Sequence, residues 1–368
     1  MRTSQELLQE RKTRIRRAIA LEKNDRPPVV LQMDAFCARH MGVKLSEFTG
    51  SIQRSHEVML ASIKNLGNAD ASERAFGGSH IFLPMSYMSR IKLPGRDLPD
   101  DNMWQMDEHE LISIEDYDVI LSKGWPEFFA DFLKNKLNIN LEAVMCEMAA
   151  STRMMAAFEE AGYAIYTPVA FTLINECLGG GRSMAKFMRD LYKIPDKVEA
   201  VLDVIQEDQL KKVGPAIKAA QAEVVFVSPS RGASAFFAPK LWERFVWKYL
   251  KKIGDAIIAE GAVINVHADG DWERDLEHFR EFPKGKCVFE ADHGTDMYKL
   301  KEKIGDWCAI KGDVPAALLA CGTPDEVYRY CKTLIKDMGD GFILSSGCTI
   351  PDNAKVENVR AMISAATD

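Results

Sequence analysis

From Pro28 onward, short apolar runs of strand length alternate with polar turns and longer amphipathic stretches. That rhythm is the grammar of βα units. The clearest strands are 29–33, 164–171, 224–228, 262–266, 286–289, 308–310 and 341–344, and an eighth is expected at 81–83 or, earlier, at 71–76. Long helical stretches separate most of them, including 240–259 and 323–338. Near-continuous apolar strands joined by helices imply a parallel sheet covered on both faces. An opening helix over 4–21 carries Leu7, Leu8, Ile15, Ala18 and Ile19 at helical spacing and is stopped by Asn24-Asp25-Arg26-Pro27-Pro28.

Right-handed βα crossovers repeated about eight times close into a barrel, whereas a doubly wound sheet usually shows a glycine-rich nucleotide loop after its first strand. None follows residue 33. Gly179-Gly180-Gly181 has neither dinucleotide-fingerprint spacing nor a Lys-Ser/Thr tail, and it is expected as a loop. The expected fold is therefore α/β, a (β/α)8 TIM barrel spanning 1–368 as one domain with an N-terminal helical extension over 1–26. Residues 85–125 interrupt the rhythm with a polar, Pro-bearing, Met-rich insertion. It reads equally as a lid or as a surface excursion packed by Met103, Trp104 and Met106.

Composition narrows the function classes. With 368 residues, 47% hydrophobic and 27% charged, the chain has material for a large core and is neither disordered nor collagenous. A formal net charge of −7 gives no overall positive field for nucleic acid or an anionic membrane. No apolar run approaches the roughly 18 residues of a membrane span, and the first 26 residues are too charged for a signal sequence, so a cytoplasmic location is expected. The eight cysteines are scattered without CxxC pairs; disulfides are not expected, and each thiol reads first as a small buried hydrophobe.

In a βα barrel the chemistry gathers at the carboxyl ends of the strands. Four ends stand out: His267-Ala268-Asp269, Glu290-Ala291-Asp292-His293, Ser345-Ser346-Gly347-Cys348 and Ser228-Pro229-Ser230-Arg231. Alternation along an extended chain points His267 and Asp269 the same way. Imidazole, carboxylate and thiolate meeting at one mouth would suit zinc. Taken singly, His267 could equally be a pocket histidine, Glu290 and Asp292 solvated carboxylates, and Cys348 a buried thiol.

The closing stretch, with CGTPDEV, GFILSSGC and PDNAKVENVRAM, resembles the end of the uroporphyrinogen decarboxylase superfamily. The opening NDRPPVVLQMDAFCARHMGV, the central TPVAFTLINECLGG and FFAPKLWERFVWKYLKKIGDAI are similar to it as well, so the resemblance covers nearly the whole chain. It implies a (β/α)8 barrel with helical additions at its amino end. Decarboxylases of the superfamily carry an arginine-rich motif after the first strand, where this chain has Gln32-Met33-Asp34-Ala35-Phe36. The corrinoid-linked methyltransferase branch instead implies zinc held by an HxC strand end, a distant SGC cysteine and a glutamate between them. His267, Cys348 and Glu290 match those places as metal-binding and catalytic residues. Asp269 stands where the thiol-methylating relatives have cysteine, and it is ranked behind the other three as a ligand.

Replacing sulfur by carboxylate oxygen makes a harder site, suited to an oxygen ligand. The activity this resemblance implies is O-demethylation: Co(I) of a corrinoid (cobalamin) carried by a partner protein takes the methyl group of a methoxylated aromatic while zinc assists the departing oxygen. The alternatives are methyl transfer from a methylcorrinoid to a thiol of the coenzyme M type, a decarboxylase, and a noncatalytic scaffold for the corrinoid protein. Substrate contacts are expected from Asp34, Phe36, Tyr166, Phe171, Asp292 and His293, with core packing an even alternative for the aromatics. Arg231 is a candidate for an acidic substituent or a structural arginine. Asp313 is expected as a turn residue.

Overall fold

In the computed structural model, which describes residues 2–368, eight parallel strand positions close on themselves. Val30–Leu31 (β1) pairs with Ala71–Ser72 (β2), which pairs with Ala164–Ile165, the first half of β3. Pro168 has no N–H to donate, and at that point pairing passes from β2 to the next strand. The second half of β3, Val169–Thr172, continues the order through Val224–Ser228 (β4), Val263–Ala268 (β5), Cys287–Ala291 (β6), Ala309–Val314 (β7) and Phe342–Ser346 (β8). A parallel bridge from Val29 to Leu344 shuts the ring. The fold is a (β/α)8 barrel.

Side-chain alternation sorts the strands into an outer face against the helices and an inner face. Leu31, Val225, Ile264, Phe289, Ile310 and Leu344 belong to the large core shared with the helices. Val30, Ala71, Ala164, Val224, Val288, Ala309 and Ile343 form a second apolar layer inside the barrel. The opening helix, Ser4–Ile19, packs Leu8, Ile15, Ala18 and Ile19 against that layer and plugs the amino end. Its start is fixed by a Thr3/Glu6 capping box, and buried Arg14 ties it to Asp70 at 2.6 Å. Two residues further along most strands the inner face turns polar, with Gln32, Glu73, Glu290, Lys311 and Ser345, while β4 presents Phe226.

Three expectations change. The eighth strand is Ala71–Ser72, inside the earlier of the two ranges, while 81–83 lies in the helix Ser79–Tyr87; a short apolar run does not distinguish a strand from a buried helix turn. Gly179-Gly180-Gly181 is not a loop but the buried end of the helix Ile174–Arg182. A Cβ on Gly180 would lie 1.9 Å from the Tyr87 carbonyl oxygen, and one on Gly181 2.5 Å from the Ile112 side chain. The glycines thus let the insertion lie directly on this helix, and Leu111 and Ile112 both donate to the Gly181 carbonyl at 2.8 Å. Asp313 is not in a turn but buried within β7.

The insertion itself holds an antiparallel hairpin, Arg90–Lys92 with Gln105–Asp107, and the helix Ile114–Lys123. The predicted 240–259 helix is a continuous run with a π-helical turn at Glu243–Trp247. Among the described residues no helix is long and apolar enough to cross a membrane.

Candidate metal centre

On the inner face of β5, Asn265 and His267 follow each other at the strand period, with Asp269 next in line in the turn beyond. β8 delivers Cys348 from the neighbouring side of the mouth through the tight Ser346-Gly347 turn, where Gly347 lies against the Asp292 backbone. The Nε2 of His267 sits 3.2 Å from Asp269 Oδ1 and 3.6 Å from Cys348 Sγ. All three donor atoms lie within 4.8 Å of one another. Around a tetrahedral zinc ion, standard bond lengths put nitrogen and oxygen about 3.3 Å apart and nitrogen and sulfur about 3.6 Å apart. The residues fit the ion.

Glu290 occupies a different place from the one expected. Its Oε1 accepts from His267 Nδ1 at 2.9 Å, on the side of the ring turned away from Asp269 and Cys348. A carboxylate there holds the imidazole so that Nε2 faces Asp269 and Cys348; with an ion bound it would orient a ligand, and Asp269, ranked behind the others in the sequence, would be the oxygen donor. Register explains the exchange, since His267 and Glu290 are directly paired across β5 and β6, whereas Asp269 extends past the strand end.

Below the cluster lies a buried polar network. Glu290 accepts from Asn265 Nδ2 at 2.5 Å and pairs with Lys311 Nζ at 2.9 Å. Lys311 also pairs with Glu73 at 2.5 Å, Glu73 accepts from Thr167 at 2.5 Å, and the Tyr166 hydroxyl donates to Asn265 at 3.1 Å. Lys311, Glu290 and Asn265 are all fully buried. Burial would raise the Glu290 pKa, but Lys311 and His267 outweigh it and hold the carboxyl well below the usual range. Burial opposes the charge on Lys311 and is overcome by Glu290 and Glu73, which raise its pKa. Burial likewise works against a charged His267; Glu290, with Asp269 and Cys348 adding to it, turns the balance upward. The cluster is therefore an electronegative pocket with its imidazole already aimed.

The remaining expected site residues divide. Tyr166 points into the barrel beneath His267, with Lys311 Nζ 5.1 Å above its ring. Asp34 sits half-buried at the end of β1, its Oδ1 without a partner, and burial pushes its pKa up to about 6 although Arg74 lies near. Phe36 is core, stacked on His40 with centroids 5.5 Å apart, and Phe171 packs part-buried against the outer core. Asp292 accepts from the Gly270 and Gly294 amides at 2.8 and 2.7 Å, stitching the loops after β5 and β6. His293 bonds through Nδ1 to Asp313 at 2.8 Å, and Tyr330 donates to the same carboxylate at 2.8 Å. Neither Asp292 nor His293 joins the cluster.

Arg231 is committed to protein partners: Glu108 at 3.3 Å, Glu176 at 3.7 Å and the Met106 sulfur at 3.0 Å. It pins the insertion to the loop after β4. Burial raises the Glu176 pKa to about 8 despite Arg231.

Sequence reasoning passed over Glu73, Asn265, Lys311, Phe226 and Arg74. A lysine inside Ala309–Val314 and an asparagine two positions before His267 were legible as polar residues at inward positions of apolar strands. Phe226 stacks on His267 with centroids 5.2 Å apart, as alternation along β4 allows.

Residues 167–368 match the family described as Uroporphyrinogen decarboxylase (URO-D). The chain belongs to the uroporphyrinogen decarboxylase family. His267, Asp269, Glu290, Lys311 and Cys348 of this family member all fall inside the matched segment, whereas Asp34, Glu73 and Arg74 lie before it. A solved structure of a methyltransferase from Methanosarcina mazei is similar to it with a TM-score of 0.73 and 18% identity, covering 97% of this chain and 98% of that one. At that identity the likeness speaks for the fold. No curated protein sequence matches the chain.

Proposed function

We propose that this member of the uroporphyrinogen decarboxylase family is a zinc-dependent methyltransferase that removes the methyl group of a methoxylated aromatic and passes it to the Co(I) corrinoid of a partner protein. The observation that carries the reading is the spacing of His267 Nε2, Asp269 Oδ1 and Cys348 Sγ at the barrel mouth. Three protein donors are the number used by catalytic zinc, which keeps a further position for substrate. The fold it shares with a methyltransferase agrees with the proposal.

In the reaction the methyl–oxygen bond breaks, the methyl group is transferred without its bonding electrons, and the oxygen leaves with them as a phenolate. The conjugate acid of that phenolate has a pKa of about 10, so the charge developing on oxygen is the main thing to stabilise. Bound zinc would supply a Lewis acid for it. Asp269 puts an oxygen where a second thiolate would make the site softer, which favours an oxygen-bearing ligand over a thiol. Glu290 and Lys311 keep His267 from turning, and Phe226 covers one face of its ring. The chain's contribution is position and charge, with the nucleophile supplied by the partner.

The test is incubation of the zinc-loaded protein with reduced corrinoid and a panel of methoxyarenes, methanol and methylamines, following the corrinoid absorbance. Methylation from at least one methoxyarene is expected. Success with methanol or an amine alone would remove the substrate class, and zinc-dependent methylation of a thiol from methylated corrinoid, without reaction of any ether, would favour the opposite direction.

A further inference from the structure

Resting on the methyl-ether reading, we propose that Arg74 forms an anion-binding subsite across the mouth from the metal donors, so that the substrate is a methoxyarene bearing a carboxylate. Arg74 follows β2, and its guanidinium carbon lies 4.8 Å over the ring of Phe226. The same ring stacks on His267 at 5.2 Å, so the guanidinium carbon is no more than about 10 Å from the imidazole centre. Both groups pack on the Phe226 ring, so a substrate ring seated beside Phe226 would turn its methoxy group toward the metal donors and its carboxylate toward Arg74.

Among the described residues the Arg74 side chain has neither hydrogen bond nor ion pair, and its Nε is buried without a partner. Buried guanidinium N–H groups are ordinarily satisfied, and a planar fork of donors matches the two oxygens of a carboxylate, the anion that an aromatic ring most simply carries. Arg231, the arginine that the sequence offered for an acidic substituent, is already held by Glu108 and Glu176. The adjoining strand ends are unsatisfied in the same region: Asp34 Oδ1 and Gln32 Oε1 on the β1 side and Ser345 Oγ on β8 lack partners. Asp34 is not ion-paired with Arg74, so the cation is not cancelled by direct contact, yet its charge works against a bound anion.

The experiment is calorimetric titration of the full, zinc-loaded chain, without corrinoid, with 4-methoxybenzoate, its methyl ester and methoxybenzene. The acid is expected to bind at least about tenfold more tightly than the ester. Arg74→Met should weaken the acid by about 10- to 100-fold, leave the ester and the zinc content unchanged, and Arg74→Lys should recover part of the loss. Asp34→Asn should tighten the acid. Equal binding of acid and ester by the unaltered protein, or an acid preference that survives Arg74→Met, overturns the subsite. Carboxylate-selective binding without any methyl transfer would leave the subsite standing and end the ether reading; transfer from neutral ethers with no acid preference would do the reverse.

Discussion

Replacing Lys311 by Met keeps most of the side-chain stem and removes the one charge that stands between Glu73 and Glu290. At 2.5 and 2.9 Å, each pair is worth about 6 kcal/mol of Coulomb attraction at an effective dielectric of about 20. Most of that is offset by taking three ionised groups out of water. Deleting the cation, however, leaves two buried carboxylates facing each other, a change that typically costs about 3–5 kcal/mol. For a chain of this size that lowers the urea midpoint of the zinc-free protein by about 1 M. Two signatures distinguish the charge mechanism from simple loss of packing. The deficit should shrink as pH falls, because a protonated carboxyl no longer needs a cation, and Lys311→Met combined with Glu73→Gln should recover at least half of it. A midpoint shift under about 0.2 M, or a double variant no better than the single one, would refute the reasoning.

Other substitutions probe other parts of the account. His267→Ala and Cys348→Ala should each release zinc and abolish methyl transfer, and Asp269→Ala should retain some metal with weakened binding, all read by metal analysis of dialysed protein. Glu176 has a folded pKa of about 8 against an ordinary 4.5, so the native state holds a proton that the unfolded chain releases. Its contribution to stability is full below about pH 4.5 and lost as pH rises through 8; Glu176→Gln should flatten the fall in stability between pH 5 and 9 by up to about 4 kcal/mol, measured by denaturation across that range. Gly180→Ala drives a methyl group into the Tyr87 carbonyl and should cost about 1–3 kcal/mol while making the 90–107 hairpin more sensitive to limited proteolysis, with the zinc content unchanged.

The barrel was legible because its strands are buried on both faces and therefore read as uninterrupted apolar runs. β2 was the weakest to place, since only Ala71 and Ser72 pair and two residues leave almost no pattern. His267, Asp269 and Cys348 were visible from strand ends and alternation, but their distances were not, and the roles of Asp269 and Glu290 depend on which ring nitrogen each one meets. That is decided by the register between β5 and β6, which no spacing within one strand reveals. Glu73 and Lys311 are 238 positions apart, and their pairing exists only once the ring of strands has closed. Arg231 and Arg74 could not be ranked from sequence, because what separates them is whether Glu108 and Glu176 have already claimed the guanidinium.

X-ray absorption at the zinc edge tests the central claim most directly. Protein purified without chelator should carry one zinc per chain with a single sulfur neighbour at about 2.3 Å among nitrogen and oxygen ligands, and Cys348→Ala should lose that sulfur. A fully active preparation with no bound zinc, or a zinc spectrum without sulfur, would contradict it.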